Sequence, residues 1–146
     1  MRIIPMNKDH VSQIAQLEAQ CFSDPWSEKS VASELENPLS LWLVAEENGQ
    51  VCGYVGSQTV LGESDMMNVA VDPGFRRQGI ARALIETLIA ELSKMGSRCL
   101  RLEVRVSNEN ARALYARMGF QQLGLRKNYY HSPKEDALIL GKEWKN

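Results

Sequence analysis

The stretch Val69-Ala70-Val71-Asp72-Pro73-Gly74-Phe75-Arg76-Arg77-Gln78-Gly79-Ile80-Ala81-Arg82-Ala83-Leu84 constrains the fold of this chain more than any other. Apolar residues of strand character meet a proline and two glycines, and apolar residues on helical spacing come next, so a strand must feed a tight loop and then a helix start. A helix start offers unpaired N–H groups and partial positive charge. Arginines flank it here, and Gly79 leaves the backbone open to close approach. Such a run is a seat for pyrophosphate. A solvated basic turn is the competing reading, and on physical chemistry alone the two stand about equal. The loop carries neither the Walker pattern nor the Gly-x-Gly-x-x-Gly dinucleotide fingerprint.

At 146 residues the chain has the length of one domain with a single core, spanning residues 1–146. A formal net charge of -1 supplies no general attraction to nucleic acid or to an anionic membrane. No window has the apolar length of a transmembrane helix and the N-terminus lacks a signal-peptide core, so the sequence predicts a cytoplasmic protein. Cys21, Cys52 and Cys99 are odd in number and sit in apolar contexts, which reads as small buried hydrophobes in a reducing compartment. No Cys or His pair has metal-ligand spacing, and no metal is expected. No coiled-coil seam or oligomerisation motif stands out, and a monomer is expected.

Val11, Ile14, Leu17 and Cys21 predict a first helix from about Lys8 to Cys21. Ser27-Glu28-Lys29-Ser30 opens a second, which must end by Asn37-Pro38. Strands over Leu41 to Glu46 and Val51 to Val60 flank Asn48-Gly49, a hairpin signal. Ser64 to Val71 is the next strand, Ala81 to Met95 a helix closed by Gly96, and Leu100 to Val106 an alternating strand. Asn108 to Met118 is a fourth helix, followed by strands at about Gln121 to Tyr129 and Asp136 to Trp144. The order strand, two helices, three strands, helix, strand, helix, two strands is an α+β arrangement. It implies one mixed, mostly antiparallel sheet flanked by about four helices, with one parallel pairing at the central strand-helix-strand unit.

Arg76-x-x-Gly79-x-Ala81 matches the Gln/Arg-x-x-Gly-x-Gly/Ala signature of the GCN-five-related N-acetyltransferases, or GNAT superfamily. The resemblance extends over nearly the whole chain. Cys21-Phe22-Ser23-Asp24-Pro25-Trp26-Ser27, Leu102-Glu103-Val104-Arg105-Val106-Ser107-Asn108, Ala113-Leu114-Tyr115-x-x-x-Gly119-Phe120 and Arg126-x-Asn128-Tyr129-Tyr130 resemble its RimI-type branch, the ribosomal-protein-alanine N-acetyltransferases. That resemblance implies the GNAT fold and acetyl-CoA as donor. It places Val69, Ala70 and Val71 beside the pantetheine and thioester. Arg76, Arg77, Gln78, Gly79, Ile80, Ala81 and Arg82 would surround the pyrophosphate, and Asn108 would contact the pantetheine arm. The implied acceptor is a protein N-terminus, an alanine on a small-subunit ribosomal protein.

An amine must be neutral to attack a thioester, so direct transfer needs a proton acceptor for the amine and a donor for the leaving thiolate. The resemblance assigns Glu103 and Tyr115 to these roles. From the residues alone, the favoured reading of Glu103 is an exposed member of an alternating strand paired with Arg101 or Arg105, and that of Tyr115 a core aromatic; the resemblance reverses both. An α-amine has a pKa near ~8 against ~10.4 for lysine, so its neutral form costs roughly 3 kcal/mol less near neutral pH, which favours an N-terminal acceptor. Lysine side chains, small amines, or a non-catalytic acyl-CoA sensor are the alternatives. Trp26 and Tyr130 would wall opposite sides of the peptide groove, with Tyr130 preferred over Tyr129 because strand neighbours face opposite ways. Asp136 could equally be a turn residue, and His131 reads as a loop residue.

Overall fold

The computed structural model describes residues 1–144. Its elements keep the predicted order: β1 (Arg2–Pro5), α1 (Val11–Cys21), α2 (Glu28–Ser33), β2 (Ser40–Glu47), β3 (Gln50–Val60), β4 (Glu63–Val71), α3 (Ile80–Lys94), β5 (Cys99–Arg105), α4 (Glu109–Arg117), β6 (Gln121–His131) and β7 (Lys134–Glu143). Local chemistry explains the boundaries. The Ser27 hydroxyl accepts from the Ser30 N–H at 3.0 Å and starts α2. Asn108 does the same for α4 through the Ala111 N–H at 3.2 Å. Asn48 and Gly49 take φ of 52° and 80°, the paired left-handed values of a two-residue hairpin turn between β2 and β3.

The seven strands form one sheet in the order β1-β2-β3-β4-β5-β7-β6. Every pairing is antiparallel except β4 with β5. Alternation divides the buried residues between two faces. Leu43, Ala45 and Val55 join α3 residues such as Leu84, Ile85 and Leu88 in one apolar cluster. Trp42, Val44 and Tyr54 join Ile14 and Leu17 of α1 and Val31 of α2 in the other. The sheet is thus sandwiched, with α1 and α2 on one side and α3 on the other.

Of the four register shifts among the described strands, two bear on the site. On β4, Ser57 pairs Met66 while Gly56 pairs Asn68, so Met67 is an extra residue that bends the strand. On β6, Arg126 pairs Ala137 and Tyr130 pairs Glu135, which leaves three residues of β6 opposite Asp136 alone. Asn128 sits there at φ 54°, and its N–H donates to the Asp136 carboxylate at 2.8 Å. Asp136 is therefore a strand residue that caps a bulge, not a turn residue. His131 likewise ends a strand, because the β6–β7 turn is confined to Ser132 and Pro133.

Candidate active site

The site begins where the sheet comes apart. β4 and β5 pair only over Glu63↔Cys99 to Asp65↔Arg101. Beyond Asp65 the bent β4 departs, and Leu102 to Arg105 of β5 pair only with β7. Parallel strands that separate leave one edge of Met66 to Val71 without a strand partner, open to a ligand apart from the Val71 carbonyl, to which the Arg76 Nε donates at 3.4 Å. A cavity of about 620 Å³ fills the opening.

Val69, Ala70 and Val71 line this cavity on one side, and Asn108 and Tyr115 line it on the other. At its mouth lie Arg76, Arg77, Gly79, Ile80, Ala81 and Arg82. Gly79 occupies the position before α3 at φ 74° and ψ 17°, and Arg77 sits at φ 65°. A Cβ on Gly79 would meet nothing within 4 Å, so glycine is needed there for conformation. An arginine held in the left-handed region costs of order 1 kcal/mol, which a binding loop sustains when its backbone must face a ligand. The first turn of α3 holds no acidic residue, leaving its positive end uncompensated. Arg82 pairs with Glu86 at 2.8 Å. Gln78 is exposed and lines neither this cavity nor its neighbour, so the structure does not bring it to the site with the rest of the loop.

That neighbour is a second cavity, about 640 Å³, beside the first. Trp26 and Tyr130 both line it, with Asn68 and Met67 on its floor. Trp26 also packs edge-on against Trp42, ring centroids 5.3 Å apart, so its packing and groove-lining roles coexist. Tyr129 lines this cavity too. The expectation that only one of the two tyrosines could face it fails because the β6 bulge breaks the alternation, and the two rings meet edge to face at 5.1 Å. Arg105 holds this wall. Its guanidinium lies 4.2 Å over the Tyr130 ring and donates to the Pro133 carbonyl at 2.8 Å and to Glu135 at 3.2 Å.

Glu103 and Tyr130 border both cavities. Neither Arg101 nor Arg105 pairs with Glu103. Arg101 is taken by Glu63 and Asp65, Arg105 by Glu135, and the Glu103 carboxylate sits 3.4 Å from Arg126 of β6. Tyr115 is buried against Phe120, ring centroids 5.6 Å apart, and burial pushes its phenol well above the ordinary range. Burial also raises the Tyr130 phenol, to about 12. Both hydroxyls stay protonated at working pH and are available as donors. The Asn108 carboxamide oxygen is spent on the α4 cap, while the residue still lines the first cavity.

Several site residues carried no motif that singled them out. Cys21, read as a buried hydrophobe, is only partly buried and lines both cavities, 3.7 Å from the Arg76 guanidinium. Glu18 is completely buried and accepts from the Trp26 N–H at 2.9 Å, the Asn68 amide at 3.0 and 3.1 Å, and the Tyr54 hydroxyl. One signal for Glu18 exists in the sequence. It lies seven residues after Val11 and four after Ile14, so a carboxylate falls on the apolar face of α1.

A sheet split between two parallel strands, with a glycine-arginine loop and a helix start at the mouth, forms a cleft suited to an anionic ligand. The chain belongs to the acetyltransferase (GNAT) family, whose model matches residues 11–120. It is 44% identical over 127 residues to the [ribosomal protein bS18]-alanine N-acetyltransferase of Escherichia coli strain K12, covering 85% of this chain and 84% of that protein. The protein of the same description from Haemophilus influenzae is 36% identical over 132 residues, 88% of each chain. The crystal structure of the ribosomal-protein-S18-alanine N-acetyltransferase from Escherichia coli superimposes with a TM-score of 0.89, covering 97% of this chain and 92% of that one. The family and branch that the motifs resemble are borne out, as is the fold.

Proposed function

We propose that this protein transfers the acetyl group of acetyl-CoA to the α-amine of an N-terminal alanine on a bS18-type ribosomal protein, in the cytoplasm, by direct attack within a ternary complex. The observation that carries the reading is the position of Glu103 on the boundary of the two cavities. One cavity has the backbone edge, loop and helix start suited to a phosphorylated thioester. The other is a groove walled by aromatic rings, suited to an extended peptide. A carboxylate at their junction is where an incoming ammonium must lose its proton.

Acetyl-CoA supplies an electrophilic thioester carbonyl and a thiolate leaving group. Backbone groups of Val69 to Val71 hold and polarise the thioester end, and Arg76, Arg77 and Arg82 with the N–H groups at Gly79 to Ala81 hold the pyrophosphate. Glu103 takes the proton from the amine, directly or through water. Tyr115 donates a proton to the departing sulfur, a role suited to a phenol kept protonated by burial. Arg126 neutralises the Glu103 carboxylate in the free protein and must yield when the cationic amine arrives. Trp26, Tyr129 and Tyr130 position the peptide.

The test is acetyl transfer to short peptides that differ only in their first residue, with lysine modification scored separately by mass spectrometry. Preference for the alanine-initiated peptide is expected. Preference for lysine side chains or free amines would sink the N-terminal reading.

A further inference from the structure

Glu18 is a buried carboxylate whose hydrogen-bond donors are all neutral: the Trp26 N–H, the Asn68 amide in two contacts, and the Tyr54 hydroxyl. A buried carboxyl group in that position is costly and is retained where its acceptor capacity is needed. Its partners come from three elements. Trp26 belongs to the α1–α2 connection that walls the second cavity, Asn68 comes just after the extra residue of β4 and borders both cavities, and Tyr54 belongs to β3 and borders neither. One carboxylate therefore fastens the loop beside the peptide to the strand beside the thioester.

Resting on the proposed acetyl transfer, we infer that Glu18 is a positioning residue, one that fixes the Phe22–Trp26 wall against β4 so that the amine is presented in line with the thioester. Orientation of two reactants is sensitive to shifts of an ångström, and the loop has no other tie to β4 of this strength among the described hydrogen bonds. The carboxylate reaches the substrates only through Trp26 and Asn68.

Glu18→Gln keeps the shape and replaces one accepting oxygen by a donor that faces donors. For the full-length protein, kcat/KM for an alanine-initiated peptide is expected to fall at least about 30-fold, while the Kd for CoA by calorimetry stays within about threefold. Tyr54→Phe removes a donor from the same carboxylate on the side away from both cavities. It is expected to lower Tm and leave peptide kcat/KM within about threefold. In Glu18→Gln, deuterium uptake is expected to quicken in peptides covering Phe22 to Trp26 and not in β3 or α3.

Peptide kinetics unchanged in Glu18→Gln, or losses in both variants that track Tm, would overturn the inference. If Glu18→Gln fails to fold, Asn68→Ala removes two of the contacts and leaves the carboxylate; unchanged exchange at Phe22 to Trp26 in that variant is equally fatal. A wild type inactive on the alanine peptide would sink the proposed function instead, and the exchange measurement, which needs no turnover, still decides the role of Glu18.

Discussion

One wall of the proposed donor cleft is assembled from neighbours in the chain: Val69 to Val71 end β4, and Arg76 to Arg82 come within a dozen residues, while Asn108 and Tyr115 close it from a later segment. The proposed acceptor groove is assembled from distant pieces, the α1–α2 connection, the β4 bend, the middle of β5 and the β6–β7 hairpin. The loop of the first depends on backbone conformation, with Arg77 and Gly79 in the left-handed region. The second is made of side chains, and two charged residues anchor it, Glu18 on one wall and Arg105 on the other. A site of the first kind should break on backbone changes and a site of the second on side-chain changes. Glu103 belongs to both, so its loss should exceed either.

Glu103→Gln is expected to lower kcat/KM about 100- to 10,000-fold, the usual cost of a general base, with CoA affinity unchanged. A loss under tenfold in steady-state assays would place proton removal elsewhere. Tyr115→Phe should cost less, about 10- to 100-fold, because a thiolate of pKa near ~8.5 leaves with less assistance than an amine needs to attack. Its signature is on kcat with both KM values preserved.

Gly79→Val tests the backbone half. The new side chain has room, so any penalty comes from forcing a β-branched residue to φ 74°. Strain of ~1–2 kcal/mol should weaken CoA binding about tenfold by calorimetry and leave the peptide KM alone. An equal effect on both substrates would show that the two regions are not separable in this way.

The same division governs what the sequence could reveal. Contiguous strand, loop and helix signals put the donor cleft in view from residues 69 to 84, and the Asn48-Gly49 turn, the Ser27 cap and the proline after Asn37 set element boundaries to within a few residues. Gln78 shares the motif but is turned to solvent, since a pattern in sequence does not say which side chains a left-handed loop points inward. Trp26 and Tyr130 were legible as aromatic candidates. What fastens them was not: Glu18 and Asn68 are fifty residues apart, and Arg105 meets Glu135 thirty residues on. The β6 bulge that brings Tyr129 and Tyr130 to one cavity depends on Asp136 capping Asn128, a contact between strands that no single strand's alternation encodes.

Arg105→Ala tests the side-chain half, and a smaller effect is expected than for Gly79→Val. It releases the Pro133 carbonyl, Glu135 and the Tyr130 ring together. Loss of charge-assisted bonds at a partly exposed site should raise the peptide KM about five-fold, with the Kd for CoA unchanged. A matching rise in the acetyl-CoA KM would mean that the hairpin also supports the donor cleft.

The smallest effect concerns pH. Hydrogen bonds from Ser107, first its side chain and then its N–H at 2.6 Å, hold the Glu135 carboxyl below its usual range, and Arg105 adds to them. A folded pKa below the unfolded one means that the unfolded chain binds more protons between the two values. The contribution of Glu135 is therefore complete above the unfolded pKa, near ~4.3, and is lost as pH falls through the folded value. Glu34 and Glu46 are also lowered, Glu34 against its burial by bonds from Gln58, Asn37 and Trp42, and Glu46 by Arg2 and His10, so acid destabilises the fold away from the hairpin as well. Glu135→Gln should thus flatten only part of the acid limb of a stability profile. The sharper readout is the difference between substrates as pH falls below the ordinary glutamate range: as Glu135 protonates, the peptide KM of the wild type should rise toward that of Glu135→Gln while CoA affinity, corrected for phosphate titration, stays level. If the two constants drift together, the hairpin anchor is not what acid releases, and the two regions share a common weak point in the sheet.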